Sequence, residues 1–178
     1  MWDFFKSFLY ILILGTGVYF ACLYGYEQLN LNRIGFAVEQ INGNMHSVFS
    51  ETEEYPAAET IKENKIVPEE MLEISAKEYF WRHYFGGNML VCGVKSAKEA
   101  KYNIVFNNLS KRKCKLLANK DWRDNKYFVG IVAKGYSVVA KNAGDDFSET
   151  ERLITEAEAD NLCDCNDKDV CSVVLVYK

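Results

Sequence analysis

The chain has little that would break a helix or run a reaction. Its 178 residues hold two prolines, at 56 and 68, so nothing in the first 55 residues forces a helix to stop. There are two histidines, His46 and His83, and no HExxH string, no Ser-His-Asp order and no phosphate-cradling glycine loop. Both histidines sit among apolar and aromatic neighbours, in NMHSVF and YFWRHYF, where packing is the default. A Cys-His pair with the isolated Cys92 is formally available as a nucleophile, yet nothing orients it, and an enzyme is not expected. Catalytic residues, cofactor and metal are therefore all read as none. Net charge is −4 and the pI about 5.3, so the chain as a whole offers no electrostatic footprint for nucleic acid.

Charge is also missing locally. From Phe8 to Tyr26 there is no ionisable Asp, Glu, Lys or Arg, and the run is about as long as the roughly 20 residues a helix needs to cross a bilayer. A signal peptide would have a shorter apolar region and small residues before its cleavage site, whereas Tyr19-Phe20 is bulky. Phe20-Ala21-Cys22 also permits a lipoprotein reading, with Cys22 lipidated; Tyr19 fits that poorly, and the run is read as an uncleaved or minimally trimmed anchor. Phe8, Leu12, Leu14, Gly15, Val18 and Cys22 are its anchor and assembly candidates. Lys6 and the terminal amine lie on the N-side, which favours a short N-terminus in the cytoplasm and the domain outside.

Beyond Tyr26, Leu31, Ile34, Val38, Ile41, Met45 and Val48 recur at threes and fours, the stripe of an amphipathic helix. The two stretches are expected to form one rod, on the order of 70 Å long at 1.5 Å per residue, ended by Tyr55-Pro56. The chain thus divides into an anchor half (1–26), an amphipathic half (27–54) and a head (55–178). In the head a short helix, AAETIKENK, precedes IVPEEMLEIS. From Tyr84 onward the grammar is that of short strands, FGGNMLVCGV, KYNIVFNN, YFVGIVAKG, YSVVAKN and CSVVLVY, parted by Gly86-Gly87, Asn107-Asn108 and Gly144-Asp145-Asp146. Two helices interrupt them, LSKRKCKLLANKDW and SETERLITEAEADNLC, the second opened by Ser148 with Glu151 three residues on.

Five cysteines lie outside the anchor, and three fall in CDCNDKDVC. A C-x-C with one partner and no nearby histidine supplies too few regular zinc ligands, which favours disulfides and an oxidising compartment. The odd count leaves at least one thiol unpaired within the head. Lys111, Arg112, Lys113 and Lys115, with Lys120, Arg123 and Lys126 beyond, concentrate positive charge near Trp122 and Tyr127. Such a patch suits single-stranded nucleic acid or another anionic surface, but a solvated helix face is the plainer reading.

The order VEQINGNMHSVFSETEEYPA, KENKIVPEEM, FGGNMLV, KRKCKLLANK and DNLC before the last strand resembles a type IV pilin of the b subclass, or a related minor pilin or pseudopilin. The resemblance implies an α+β fold, a long membrane-spanning and amphipathic N-terminal helix packed on a small antiparallel sheet. It implies a structural subunit of a pilus-like filament or a related secretion or uptake apparatus. Its partners would be like subunits or other pilins and the membrane; its place would be the bacterial inner membrane with the head in the periplasm, or an extracellular pilus. A membrane-anchored binding module for adhesion or DNA uptake is the alternative. The family pattern further implies a Cys114–Cys163 bond, and proximity then pairs Cys165 with Cys171, although Cys163 and Cys165 are close enough to exchange partners; Cys92 is left free. MWDFFKSFLYIL departs from the family in having neither the Gly of a prepilin cleavage site nor the Glu that follows it. An unprocessed subunit, or a leader upstream of this start, is the corresponding expectation.

Overall fold

In the computed structural model, residues 2–71, 73–75, 79–95, 99–135, 138, 143–145, 147, 155–165 and 170–178 are described. One helix, α1, runs from Trp2 to Val48. It is followed by α2 (Ala58–Glu63), β1 (Glu73–Ser75), β2 (Phe80–Arg82), β3 (Asn88–Gly93), β4 (Tyr102–Leu109), α3 (Lys111–Ala118), β5 (Phe128–Lys134), α4 (Glu156–Leu162) and β6 (Cys171–Tyr177). The strands form one antiparallel sheet in the order β1-β2-β3-β4-β6-β5. The architecture is α+β: a long N-terminal helix against an antiparallel sheet.

The C-terminal strand β6 lies between β4 and β5, and all seven of its residues are buried. Its continuous apolar run follows from having both faces covered. Alternation sorts the strands onto two cores. Met89, Val91, Ile104, Phe106, Ile131, Val173 and Leu175 face the helices; Leu90, Cys92, Val105, Val132, Val174 and Val176 pack on the opposite face with Val138 and Ala143.

The inner core takes one stripe of α1: Leu31, Ile34, Ala37, Val38, Ile41 and Met45. Burying the large members contributes roughly 1.5–3 kcal/mol each. Asn42 on the same stripe accepts a hydrogen bond of 2.7 Å from the Tyr102 hydroxyl, and Asn44 donates to the Ile66 carbonyl at 2.8 Å. The stripe is one residue shorter than its spacing predicts. Val48 is 47% exposed, because the helix ends there and the chain turns at Phe49–Thr52, well before Tyr55-Pro56. Pro56 has a different job: its carbonyl accepts from the Gly93 amide at 2.8 Å, tying the helix exit to the end of β3. A Cβ on Gly93 would overlap the Tyr55 carbonyl, so this approach needs glycine.

Three further sequence expectations need revision. Strands begin earlier than Tyr84, since β1 and β2 precede it; each is three residues long, too short for alternation to show. Asn107-Asn108 is not a turn but lies inside β4, where Asn108 takes φ 58° beside an irregularity in the pairing with β6. The cap of the last helix is Thr155 with Glu158, a capping box at the same three-residue spacing as the predicted Ser148 and Glu151. Ser148, Glu151, Asp146 and residues 166–169 of the CDCNDKDVC string lie outside the described residues, and of YSVVAKN only Val138 lies within them.

Candidate assembly site

The first half of α1 is helical because nothing interrupts it, and apolar because nothing in the head covers it. Lys6–Val48 is long and apolar enough to cross a membrane, and its most apolar 18-residue window is wholly unburied. Phe8, Leu12, Leu14 and Val18 are exposed, Cys22 is an exposed free thiol, and a Cβ added at Gly15 would meet nothing within 4 Å. Thr16, the one aliphatic hydroxyl of the charge-free run, turns its Oγ1 back to the Ile13 carbonyl at 2.9 Å.

One face of this helix stays open along its whole length. Ile11, Val18, Cys22, Leu29 and Phe36 follow at fours and sevens and share one azimuth. All are exposed, Ile11 at 69% and Phe36 at 62%, although Phe36 lies in the half whose other face is buried under the sheet. The predicted stripe pointed inward; this outward one escaped notice because polar residues interrupt it after Tyr26.

Where the rod leaves the head, the two are latched. Glu27 binds Arg112 of α3 at 2.7 Å, and the Arg33 guanidinium lies 5.8 Å from the Tyr84 ring centroid. The turn His83–Gly87 closes this neck, with Gly86 at φ +86°. His83 beneath it is buried; its Nε2–H donates to the Asn107 carbonyl at 3.0 Å and its Nδ1 accepts from the Phe85 amide at 3.2 Å. Burial pushes its pKa down to about 4, with Lys113 acting in the same sense.

The predicted basic patch is spread around α3 and is largely engaged. Lys111 pairs with Asp164 at 2.7 Å, Arg112 with Glu27, Lys115 with Asp160, and Lys113 donates to the Phe85 carbonyl at 3.1 Å. The hydrogen bond from Lys111 holds Asp164 below the usual carboxylate range. Ser110 caps the helix. Cys114 on its buried face is joined to Cys163 at the end of α4, with Cα atoms 5.8 Å apart, and Cys165 is joined to Cys171 with Cα atoms 5.3 Å apart. Cys92 is a free thiol buried in the outer core, donating to the Gly93 carbonyl at 3.3 Å; burial raises its pKa. His46 stacks on Tyr127, with its Nδ1 3.3 Å from the Tyr55 hydroxyl. Among the described residues no three His, Cys, Asp or Glu side chains gather as a metal site.

Sequence reasoning missed the polar stitching of the outer face. Buried Asn103 donates to the carbonyls of Ala143 and Asp145 at 2.8 and 2.9 Å. Asn107 exchanges two 2.9 Å bonds with the Val138 backbone, and Ser172 donates to Asn107 at 2.7 Å. Two asparagines four apart within the apolar KYNIVFNN were the available signal.

No protein-family model and no curated protein sequence matches the chain. Solved structures do. TcpA, a type IV pilin from Vibrio cholerae El Tor biotype, superposes with a TM-score of 0.57 over 84% of this chain and 99% of its own, at 15% identity. A type IVb pilin from Salmonella typhi gives 0.52 over 86% and 99%, at 13% identity. The chain has a type IV pilin fold. Within this pilin-like protein the exposed anchor half is part of an architecture, a rod that continues as the spine of a head.

Proposed function

We propose that this pilin-like chain is a membrane-anchored structural subunit that assembles, through the open face of α1, into a type IV pilus-like filament or a related secretion or uptake apparatus. The observation that carries the reading is an apolar half-helix with no cover in its own head, joined to a head of pilin fold. Such a segment needs another solvent, and lipid before assembly and neighbouring rods after it both serve. The open stripe from Ile11 to Phe36 extends past the charge-free run, which suits contact with other rods beyond the bilayer. The chain's place is then the bacterial inner membrane with the head in the periplasm, or an extracellular pilus; the disulfides suit either. The predicted division into anchor, spine and head is retained for this subunit, with the spine's helix ending at Val48 and a turn carrying the chain to residue 55. The role is structural rather than enzymatic. The alternative, a membrane-anchored binding module for adhesion or DNA uptake, is weakened because Lys111, Arg112 and Lys115 turn to three separate carboxylates and form no continuous cationic track for a strand.

Cysteine crosslinking tests the assembly role. Gly17 has open space for a side chain, and Ala21 is exposed. In cells that hold the assembly machinery, cysteines at these two positions are expected to give adducts with like subunits or other pilins. Monomers alone, with no pilus or secretion partner recovered by mass spectrometry, would count against the role.

A further inference from the structure

We infer that the groove between α1 and α3 is a binding site for the phosphate of an anionic phospholipid headgroup, occupied while the subunit stands in the bilayer. The inference rests on the anchoring just proposed. The groove is an open surface depression of about 620 Å³, lined by Gln28, Arg112, Lys115, Asn119, Lys120 and Asp160, among others. With Glu27 on Arg112 and Asp160 on Lys115, three cations face two carboxylates and one positive charge is left over. Arg112 gives one terminal nitrogen to Glu27 and remains 56% exposed, Lys115 is bound to Asp160, and Lys120 makes no ion pair among the described residues. Lys120 is instead held over the Trp122 ring, 5.1 Å from its centroid, which fixes the ammonium near the groove.

The height of the groove selects the ligand. The charge-free run from Phe8 to Tyr26 spans roughly 28 Å as a helix, close to the roughly 30 Å of bilayer hydrocarbon. Exposed Tyr24 and Tyr26 close it at the level where aromatic residues favour the interface. Gln28 to Asn32, the α1 wall of the groove, therefore rise from about 3 to about 9 Å above that level, through the headgroup layer, and the long Lys120 side chain reaches the groove from its upper end, beside Gly35. The Glu27–Arg112 latch holds α3 at the same height. A guanidinium, two ammoniums and the amides of Gln28 and Asn119 offer donors that suit the oxygens of a phosphate at that depth. The KRKCK string thereby gains a role that its sequence left open.

The full chain in neutral-detergent micelles, titrated with short-chain phosphatidylglycerol while the side-chain amides of Gln28 and Asn119 are followed by NMR, tests this. Saturable shifts are expected, with short-chain phosphatidylcholine giving none at the same concentrations. Arg112→Gln/Lys115→Gln/Lys120→Gln should weaken the response at least tenfold, and Lys120→Arg should keep it. If the triple variant fails to fold, the single Lys120→Gln is expected to weaken it roughly fivefold, the order of one surface cation near anionic lipid. Equal shifts with phosphatidylcholine, equal affinity for inorganic phosphate, tighter binding of a single-stranded oligonucleotide, or no shift at all would each overturn the site. Flotation of the full chain with phosphatidylcholine vesicles reads anchoring separately: a chain that floats yet ignores phosphatidylglycerol loses this inference alone, and one that does not float loses the anchor.

Discussion

The two halves of α1 have the same backbone and differ only in what covers them. Before Tyr26 apolar side chains point in every direction and the head touches none of the most apolar window. After Asn30 the apolar residues, Phe36 excepted, retreat to one stripe, and that stripe is buried up to Met45. A helix apolar all round belongs to lipid or to a bundle, and one with a stripe belongs to a surface. The comparison teaches that a single unbroken helix can serve two environments, with the change written in periodicity rather than in a break.

The comparison predicts that damage will separate along the same line. The largest effect is expected at the covalent tie of the head. Cys114→Ser with Cys163→Ser opens a loop spanning 49 residues, worth about 4 kcal/mol in the chain-entropy account, against about 2 kcal/mol for the six-residue separation of Cys165 and Cys171. Denaturant midpoints of the two double variants would show that order, and reversed costs would contradict it. Next, Ile41→Ala empties a fully buried position facing the sheet and should cost 2–5 kcal/mol, roughly, in head stability. Leu14→Ala, on the same helix, should leave head unfolding in detergent unchanged. Its charged counterpart Leu14→Arg should impair membrane insertion, by about 2.5–3.5 kcal/mol on insertion scales, and move protein out of the membrane fraction.

His83 sharpens the contrast at the neck. Its neutral form is the one that the fold holds, so the folded pKa of about 4 lies below the unfolded 6.5. Its contribution is complete above pH 6.5 and is lost as pH falls toward 4, in total about 3 kcal/mol. By pH 5 roughly 2 kcal/mol should be gone, and His83→Gln should flatten that part of the stability profile. A variant with the native pH slope would remove His83 as its source. The smallest expected effect is at Phe36. Exposed as it is, Phe36→Ser should change head stability by less than about 0.5 kcal/mol, yet lower the yield of crosslinks between rods.

How much of this was legible depended on length and repetition. The rod and its inner stripe could be read because 47 residues give a period many turns to declare itself. Strands β3 to β6 could be read from apolar runs bounded by turn residues. β1 and β2 could not, with three residues each. The place of β6 between β4 and β5 is a property of pairing across the chain, which no local pattern carries. At the candidate site, KRKCK reads as one patch in sequence, but a helix of eight residues turns its members toward different partners, and those partners come from α1, α4, the segment just after α4 and the β2–β3 turn. The outward stripe through Leu29 and Phe36 was hidden for the opposite reason, being apolar on a face where polar residues were expected.

The most direct test of a helix shared between two covers is a cysteine scan of α1 in the full chain, in its native membrane, with a Cys22→Ser background and a water-soluble maleimide. Positions 11 and 18 should resist labelling because lipid or neighbouring rods cover them, Phe36 and Gly43 should label before assembly, and Ile34 and Ile41 should label only after the head is unfolded. Prompt labelling at 11 and 18, or at 34 and 41 in the folded protein, would contradict the account.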